Sequence, residues 1–164
     1  MSFSNYGALK RLGEIYTKLL KGLVVKFWNV YGLEKDLDKA HVITDLILKA
    51  KNEGKIPLMT SGKEKRQFLH VDDCSECLYI LSQKHDDIHV DQELHITTFE
   101  WTPVINIAKI ISKHMGNVPV QPNKNSVDNV QKGMKNEPDK YVLKFWKPKK
   151  SLEKGIKEII DAMK

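Results

Sequence analysis

The sequence predicts an α/β fold, because segments of helical apolar spacing alternate with short apolar runs too brief for helices. Two stretches carry most of that reading. Over 5–21, Ala8, Leu9, Leu12, Ile15, Tyr16, Leu19 and Leu20 recur at helical spacing, and the buried-strand run Leu23-Val24-Val25-Lys26-Phe27-Trp28 follows. Later, Val104, Ile107, Ala108, Ile111 and Met115 form a second helical stripe, and it comes after a strand-like run at 94–98.

The elements can be placed in order. The first helix is expected to stop at Gly22, and the first strand to end in Asn29-Val30-Tyr31-Gly32. A charged loop over 34–39 leads into a helix over about 40–53, closed by Gly54. Strands are expected at 56–59 and 67–71, with the polar segment 60–66 between them. Asp72 or Asp73 should cap a helix running to about Gln83, and 85–91 reads as a polar connection. Thr102-Pro103 reads as cap and first helical residue, with Gly116 ending that helix. Residues 117–138 are polar and irregular, which predicts a long loop. The last helix begins at Ser151 and places Leu152, Ile156, Ile159, Ile160 and Met163 on one face.

At 164 residues the chain is of single-domain size, and 41% hydrophobic with 29% charged residues suits a soluble globular protein. No apolar run approaches the roughly 20 residues that span a bilayer. Met1 to Tyr6 contains no basic region followed by an apolar stretch, so no secretory signal is expected. Two cysteines make no disulfide framework, and the cytoplasm is the expected compartment. The net charge of +6 comes from lysines spread among acids, and Arg11 and Arg66 are the only arginines. Aromatic residues do not alternate with basic ones as a base-stacking platform requires, which disfavours nucleic acid. A phosphate-bearing small substrate suits the same charge.

Tyr6 and Lys10 stand four apart on the first helix and project from one face. An ammonium beside a phenol stabilises the phenolate and makes the pair able to move a proton on or off a hydroxyl. Taken alone, a surface pair on a helix is the commoner meaning of that spacing. Cys74-Ser75-Glu76-Cys77 could be redox-active or half of a zinc site, but Asp72, Asp73 and Glu76 oppose thiolate formation. His85, Asp86, Asp87, His89 and Asp91 are rich in ligand types but lie off any helix, so no metal is expected.

Four segments give the Tyr–Lys pair a context. They are Ser4-Asn5-Tyr6-Gly7-Ala8-Leu9-Lys10 with Glu14; Val25-Lys26-Phe27-Trp28-Asn29-Val30-Tyr31-Gly32; Ser61-Gly62-Lys63-Glu64-Lys65-Arg66-Gln67-Phe68-Leu69-His70-Val71-Asp72-Asp73; and Trp146-Lys147-Pro148-Lys149-Lys150-Ser151-Leu152-Glu153-Lys154-Gly155-Ile156. In order and spacing, nearly the whole chain resembles the carboxy-terminal part of the extended short-chain dehydrogenase/reductase family, in its NAD-dependent nucleotide-sugar epimerases and dehydratases. The resemblance implies a Rossmann-type fold comprising the catalytic helix, the last sheet strands and the small substrate-binding domain. It implies Tyr6 as acid/base, with Lys10 tuning it and binding the nicotinamide ribose, and Phe27 and Trp28 beside the nicotinamide. Asn29 would hold the substrate's diphosphate or sugar, Arg66 its diphosphate, and His41 and Val42 would line the nucleotide pocket.

The family's first half has no counterpart here. No two of the nine glycines stand within three residues of each other, so the glycine-rich turn that receives a dinucleotide pyrophosphate is missing. Leu9, Lys26 and Gln67 also depart from the family's usual residues, Gly62 alone remains of a common glycine pair, and the stretch from Asn136 to Trp146 is short. The expectation is a single truncated unit over 1–164. Residues 1–32 and 72–98 would belong to the Rossmann-type sheet layer, and 33–71 and 99–164 to the substrate-binding part. Such a chain is part of an enzyme that uses NAD or NADP on a nucleotide-sugar substrate, the alternative being that the isolated chain binds no cofactor. A non-catalytic nucleotide-sugar-binding remnant and a basic nucleic-acid-binding domain are the rival readings. Strand edges left bare call for self-association or for the first half as a separate chain.

Overall fold

A computed structural model describes residues 4–125 and 137–163. In chain order these form α1 (Asn5–Leu19), β1 (Val25–Phe27), β2 (Asn29–Tyr31), α2 (Val42–Glu53), β3 (Ile56–Pro57), β4 (Lys65–Arg66), β5 (Phe68–His70), α3 (Val71–Gln83), β6 (Leu94–Ile96), β7 (Thr102–Pro103), α4 (Val104–His114), β8 (Val120–Gln121) and α5 (Leu152–Ala162). Single 3-10 turns lie at Leu37–Lys39, His85–Asp87 and Tyr141–Lys144. The α/β expectation holds. No described helix is long and apolar enough to cross a membrane.

Among the described residues, the strands form four two-stranded ladders. β1 pairs in parallel with β6, β2 with β5, and β3 with β8, while β4 and β7 are antiparallel. Two apolar cores lie on either side of β5. Phe68 joins Tyr31, Ile43, Ile47, Ile107 and Ile156 in a core built largely from α2, α4 and α5. Leu69 faces the other way and joins Cys77, Leu81, Leu94, Ile96, Val142 and Trp146. The two-residue repeat of a strand thus lets one short segment serve both cores.

A polar clasp ties α3 to the chain entering α5. The buried Asp73 carboxylate accepts the backbone N–H groups of Lys149 (3.0 Å) and Lys150 (2.9 Å). Lys150 bridges Asp72 (2.7 Å) and Glu158 (2.5 Å), and Glu76 accepts from the Trp146 indole (3.2 Å) and from Lys149. Ser151 then caps α5, as expected.

Several boundaries differ from the sequence expectation. The first helix ends at Leu19, and the reversal falls on Lys21, whose φ is 60°. Gly22 serves closeness instead, since its N–H reaches the Thr17 carbonyl at 2.8 Å. The strand expected over 23–28 forms its ladder only at Val25–Phe27, and those at 56–59, 67–71 and 94–98 are similarly shorter. Neither Asp72 nor Asp73 caps α3. His70 does, accepting the Asp72 N–H at 3.2 Å, which frees both carboxylates for the clasp. Thr102-Pro103 is a strand rather than the helix start, because it pairs antiparallel with β4, and just beyond it the Val104 and Ile105 N–H groups at the start of α4 bond the Glu64 (3.0 Å) and Gly62 (2.9 Å) carbonyls. Within the expected loop 117–138, residues 120–121 form β8; residues 126–136 lie outside the described set. Gly54 closes α2 in the left-handed region, with φ 63°, and α2 itself begins at Val42 rather than 40.

Gly155 lies where α5 crosses β2 and β5. A Cβ there would stand 2.3 Å from the Tyr31 hydroxyl and 2.8 Å from His70 Cδ2. Gly155→Ala should therefore lower stability by roughly 1–3 kcal/mol through overpacking, read as the urea midpoint. The buried Tyr31 hydroxyl has no partner among the described residues, so adding Tyr31→Phe should recover part of the loss; no recovery would place the clash elsewhere.

Candidate functional site

Ser4 starts α1 by accepting the Gly7 N–H at 3.1 Å, which sets Tyr6 and Lys10 one turn apart on the same face. The Lys10 ammonium stands 5.5 Å from the centre of the Tyr6 ring, within reach of a cation–π contact. Both line a hollow of about 850 Å³, with Leu9, Gly13 and Thr17 from the same helix and Val25, Lys26 and Phe27 across from it. Of the residues singled out from the sequence, Tyr6, Lys10 and Phe27 are thus brought together.

A second group meets beside this hollow. The Trp28 indole donates to His95 Nδ1 (3.4 Å), and its ring meets Trp101 edge-on with centroids 5.6 Å apart. Asn29 donates from its side-chain amide to the Gln67 carbonyl (3.1 Å), and Arg66 immediately precedes Gln67 in the chain. The Arg66 guanidinium lies back on its own strand, bonding the Lys65 carbonyl at 2.9 Å. Gln67 is fully buried and accepts from Thr97 (3.0 Å), while its amide nitrogen has no partner among the described residues.

His41 and Val42 fall elsewhere. His41 precedes α2 and pairs with Glu34 at a separate recess of about 240 Å³, bounded also by Tyr31, Gly32 and Thr44. Val42 packs against the α2–α4–α5 core. Partial burial pushes the Glu34 carboxyl up, but hydrogen bonds from Thr44 and His41 outweigh it and leave the group below its usual range. His95 and Trp101 were not among the residues singled out from the sequence, and Gln67 was noted only as a departure from the family's usual residue. A half-buried histidine between Leu94 and Ile96 in a strand was the available signal, since a polar residue enclosed there must find partners.

The described residues include one cluster with metal-ligand character, His70, Asp72 and Glu158. The Lys150 ammonium already lies against both carboxylates, so the cluster is an ion-pair joint. Cys74 and Cys77 are free and buried. Burial, then Cys74 and Glu76, pushes the Cys77 thiol up to about 12, which opposes redox or zinc chemistry. His85 and His89 each contact a neighbouring aspartate on an exposed loop.

Two measurements follow from these environments. Neither thiol should react with a thiol reagent at pH 8 in the native chain over a period in which both react in urea. A fast native thiol would contradict the burial. On α1 no residue is buried, and Leu9, Leu19 and Leu20 are 69%, 72% and 82% exposed. Changing Leu9, Leu12 and Leu19 to Gln should reduce hydrophobic-dye binding and self-association by light scattering, with stability altered by no more than about 0.5 kcal/mol.

Comparison with known proteins shows the fold and the family. The chain is 29% identical, over 98% of its length, to a Methanocaldococcus jannaschii protein assigned as a UDP-glucose 4-epimerase, and covers 53% of that protein. It is 27% identical, over 78% of its length, to a GDP-L-fucose synthase of Sinorhizobium fredii, covering 42% of it. The chain thus spans about half the length of the curated relatives it matches. Among solved structures, the UDP-glucose 4-epimerase of Thermotoga maritima superposes with a TM-score of 0.76 at 22% identity, over 99% of this chain and 54% of that one. The UDP-N-acetylglucosamine 4-epimerase of Methanobrevibacter ruminantium gives 0.78 at 16% identity, over 99% and 54%. These likenesses establish a Rossmann-like epimerase fold. Residues 2–97, more than half of the chain and including the Tyr6–Lys10 helix and both strands of the 25–31 run, match the NAD dependent epimerase/dehydratase family, and to that family this chain belongs.

Proposed function

We propose that the chain is the carboxy-terminal, substrate-side half of an NAD(P)-dependent nucleotide-sugar epimerase or dehydratase, completed by a first half on another chain or segment. The observation that carries this reading is the hollow shared by Tyr6, Lys10 and Phe27 inside the family-matched stretch. The half-length coverage of the relatives and the bare apolar face of α1 support a missing complement.

The residues present fit one end of a dinucleotide. Tyr6 and Lys10 offer a hydroxyl and an ammonium suited to a ribose and its nicotinamide, whereas no cluster of the nine glycines could receive a pyrophosphate. When bound, the cofactor supplies the acceptor for the hydride that leaves a sugar carbinol carbon. Tyr6 would accept the proton of that carbinol oxygen as the C–H electron pair leaves with the hydride, so that carbinol becomes ketone. Lys10 stabilises the phenolate by its charge. Asn29 keeps a second amide N–H beyond its bond to the Gln67 carbonyl, and Arg66, once turned from the Lys65 carbonyl, would add guanidinium donors for a diphosphate.

The alternative is a remnant that binds nucleotide sugars without catalysis. Nucleic-acid binding is disfavoured, since Lys26, Lys49, Lys113, Lys149, Lys150 and Lys157 are engaged by carboxylates.

Calorimetric titration of the chain with UDP-glucose, UDP and NAD tests the proposal. Nucleotide-sugar binding is expected. Arg66→Ala should weaken it about tenfold, equivalent to ~1.4 kcal/mol, whereas Tyr6→Phe should leave it unchanged. Restoring the first half should then give activity that Tyr6→Phe abolishes. Silence towards every nucleotide sugar, with or without the complement, would overturn the reading.

A further inference from the structure

The network around His95 admits one tautomer only. His95 lies in β6 opposite Lys26 of β1, and its side chain is 12% exposed. Its Nε2 is 3.1 Å from a Glu93 carboxylate oxygen. A carboxylate can only accept, so Nε2 carries the hydrogen. The groups against Nδ1 can only donate: the Trp28 indole N–H at 3.4 Å and the Asp139 backbone N–H at 3.3 Å. Nδ1 must therefore be the bare, accepting nitrogen, and one lone pair is shared by two donors, an assignment made from the network itself.

We infer that His95 is a positioning residue for the candidate site: as neutral imidazole it holds the Trp28 indole and the Asp139 segment together, and protonation releases both. Trp28 stands between Phe27 and Asn29 in the chain, the residues assigned to the nicotinamide and substrate sides, so holding its indole fixes the backbone that joins them. The functional meaning rests on that assignment. The tautomer and its release do not.

The charged and titratable neighbours are few. Glu93 faces Nε2 and is itself tied to Lys26 of β1 at 2.7 Å. Asp139 offers His95 its backbone, while its carboxylate accepts the Tyr141 N–H at 2.7 Å. Glu137 accepts from the Trp101 indole at 3.0 Å, and Lys144 sits over the Tyr141 ring at 4.3 Å. No acceptor among these groups faces Nδ1, so a second ring hydrogen there gains no partner and displaces two. The release spreads from Trp28 to Trp101, which Trp28 touches edge-on, and to the 137–141 segment that carries the Glu137 contact.

Nitrogen-15 NMR of the chain tests this without any ligand. At about pH 8 the His95 ring should show its hydrogen on Nε2. On lowering the pH to about 5, the Trp28 indole cross-peak, identified by its loss in Trp28→Phe, should move with the same midpoint as the His95 ring. In His95→Asn, whose amide oxygen can accept but does not titrate, that peak should stay in place. A hydrogen on Nδ1 at the higher pH would overturn the inference, as would a stationary Trp28 peak in the wild type or equal movement in His95→Asn. If His95→Asn fails to fold by circular dichroism, the wild-type tautomer and the shared midpoint decide alone. Should these results hold while no nucleotide sugar binds, the enzymatic reading fails and the His95 network stands.

Discussion

Residues 25–31 run as nearly continuous extended chain yet serve two different ladders, and most of the candidate site depends on that division. Val25 to Phe27 pair with β6, Asn29 to Tyr31 pair with β5, and the break falls at Trp28, whose carbonyl accepts the Val30 N–H at 3.1 Å. Parallel strands cannot be joined by a tight turn, and α3 is the crossover that carries the chain from β5 to β6. At the level of Trp28, Gln67 stands just before β5 and Thr97 just after β6. Both are fully buried, and their side chains bond to each other at 3.0 Å. The fork is thus closed by a polar link in a place where open backbone would be costly. Asn29 is held by the Gln67 carbonyl, and Trp28 by His95, because the ladders diverge there.

The same division explains why two modest cores act as one body. β5 contributes Phe68 to one and Leu69 to the other, and the clasp around Asp73 fixes the α3 start to the chain entering α5. Neutral packing alone would leave the backbone N–H groups of Lys149 and Lys150 to find other partners. A buried carboxylate that accepts both satisfies them, and Lys150 in turn balances Asp72 and Glu158, whose carboxyls it holds below their usual range. His70 completes the joint as cap of α3, and burial keeps its imidazole towards the neutral form that a cap requires.

Much of this was legible in the sequence, and what was not has identifiable causes. The α2, α4 and α5 stripes follow from spacing because their burial is local to one face, and Gly54 and Ser151 act as the expected stop and start. Tyr6 and Lys10 stand out by helical spacing and motif, and the family that the motifs resemble is the one matched over residues 2–97. The two misread caps share a cause: a partner distant in sequence decided the local structure. Thr102-Pro103 has the chemistry of a cap, but β4 took the pair into a ladder. Asp72 and Asp73 also have cap chemistry, but lysines more than seventy residues away claimed them. His95 acquires its meaning only from the register that sets it beside Lys26 and near Trp28, which no single segment displays.

The exposure of α1 bears on chemistry as well as on assembly. An ammonium attracts a phenolate about 4 Å away with roughly 1 kcal/mol in water, and with several times that at the effective dielectric of a partly enclosed site. Tyr6 is 72% exposed beside Lys10, and the apolar face of the same helix meets solvent. Any body that covers this face removes water from both at once: it buries Leu9, Leu12 and Leu19, and it encloses the hollow into which Tyr6 and Lys10 project. On the proposed reading, the burial of apolar surface and the enclosure of the Tyr–Lys pair are one event, because the two share a helix. β1, whose ladder among the described residues is β6 alone, lies beside that same hollow.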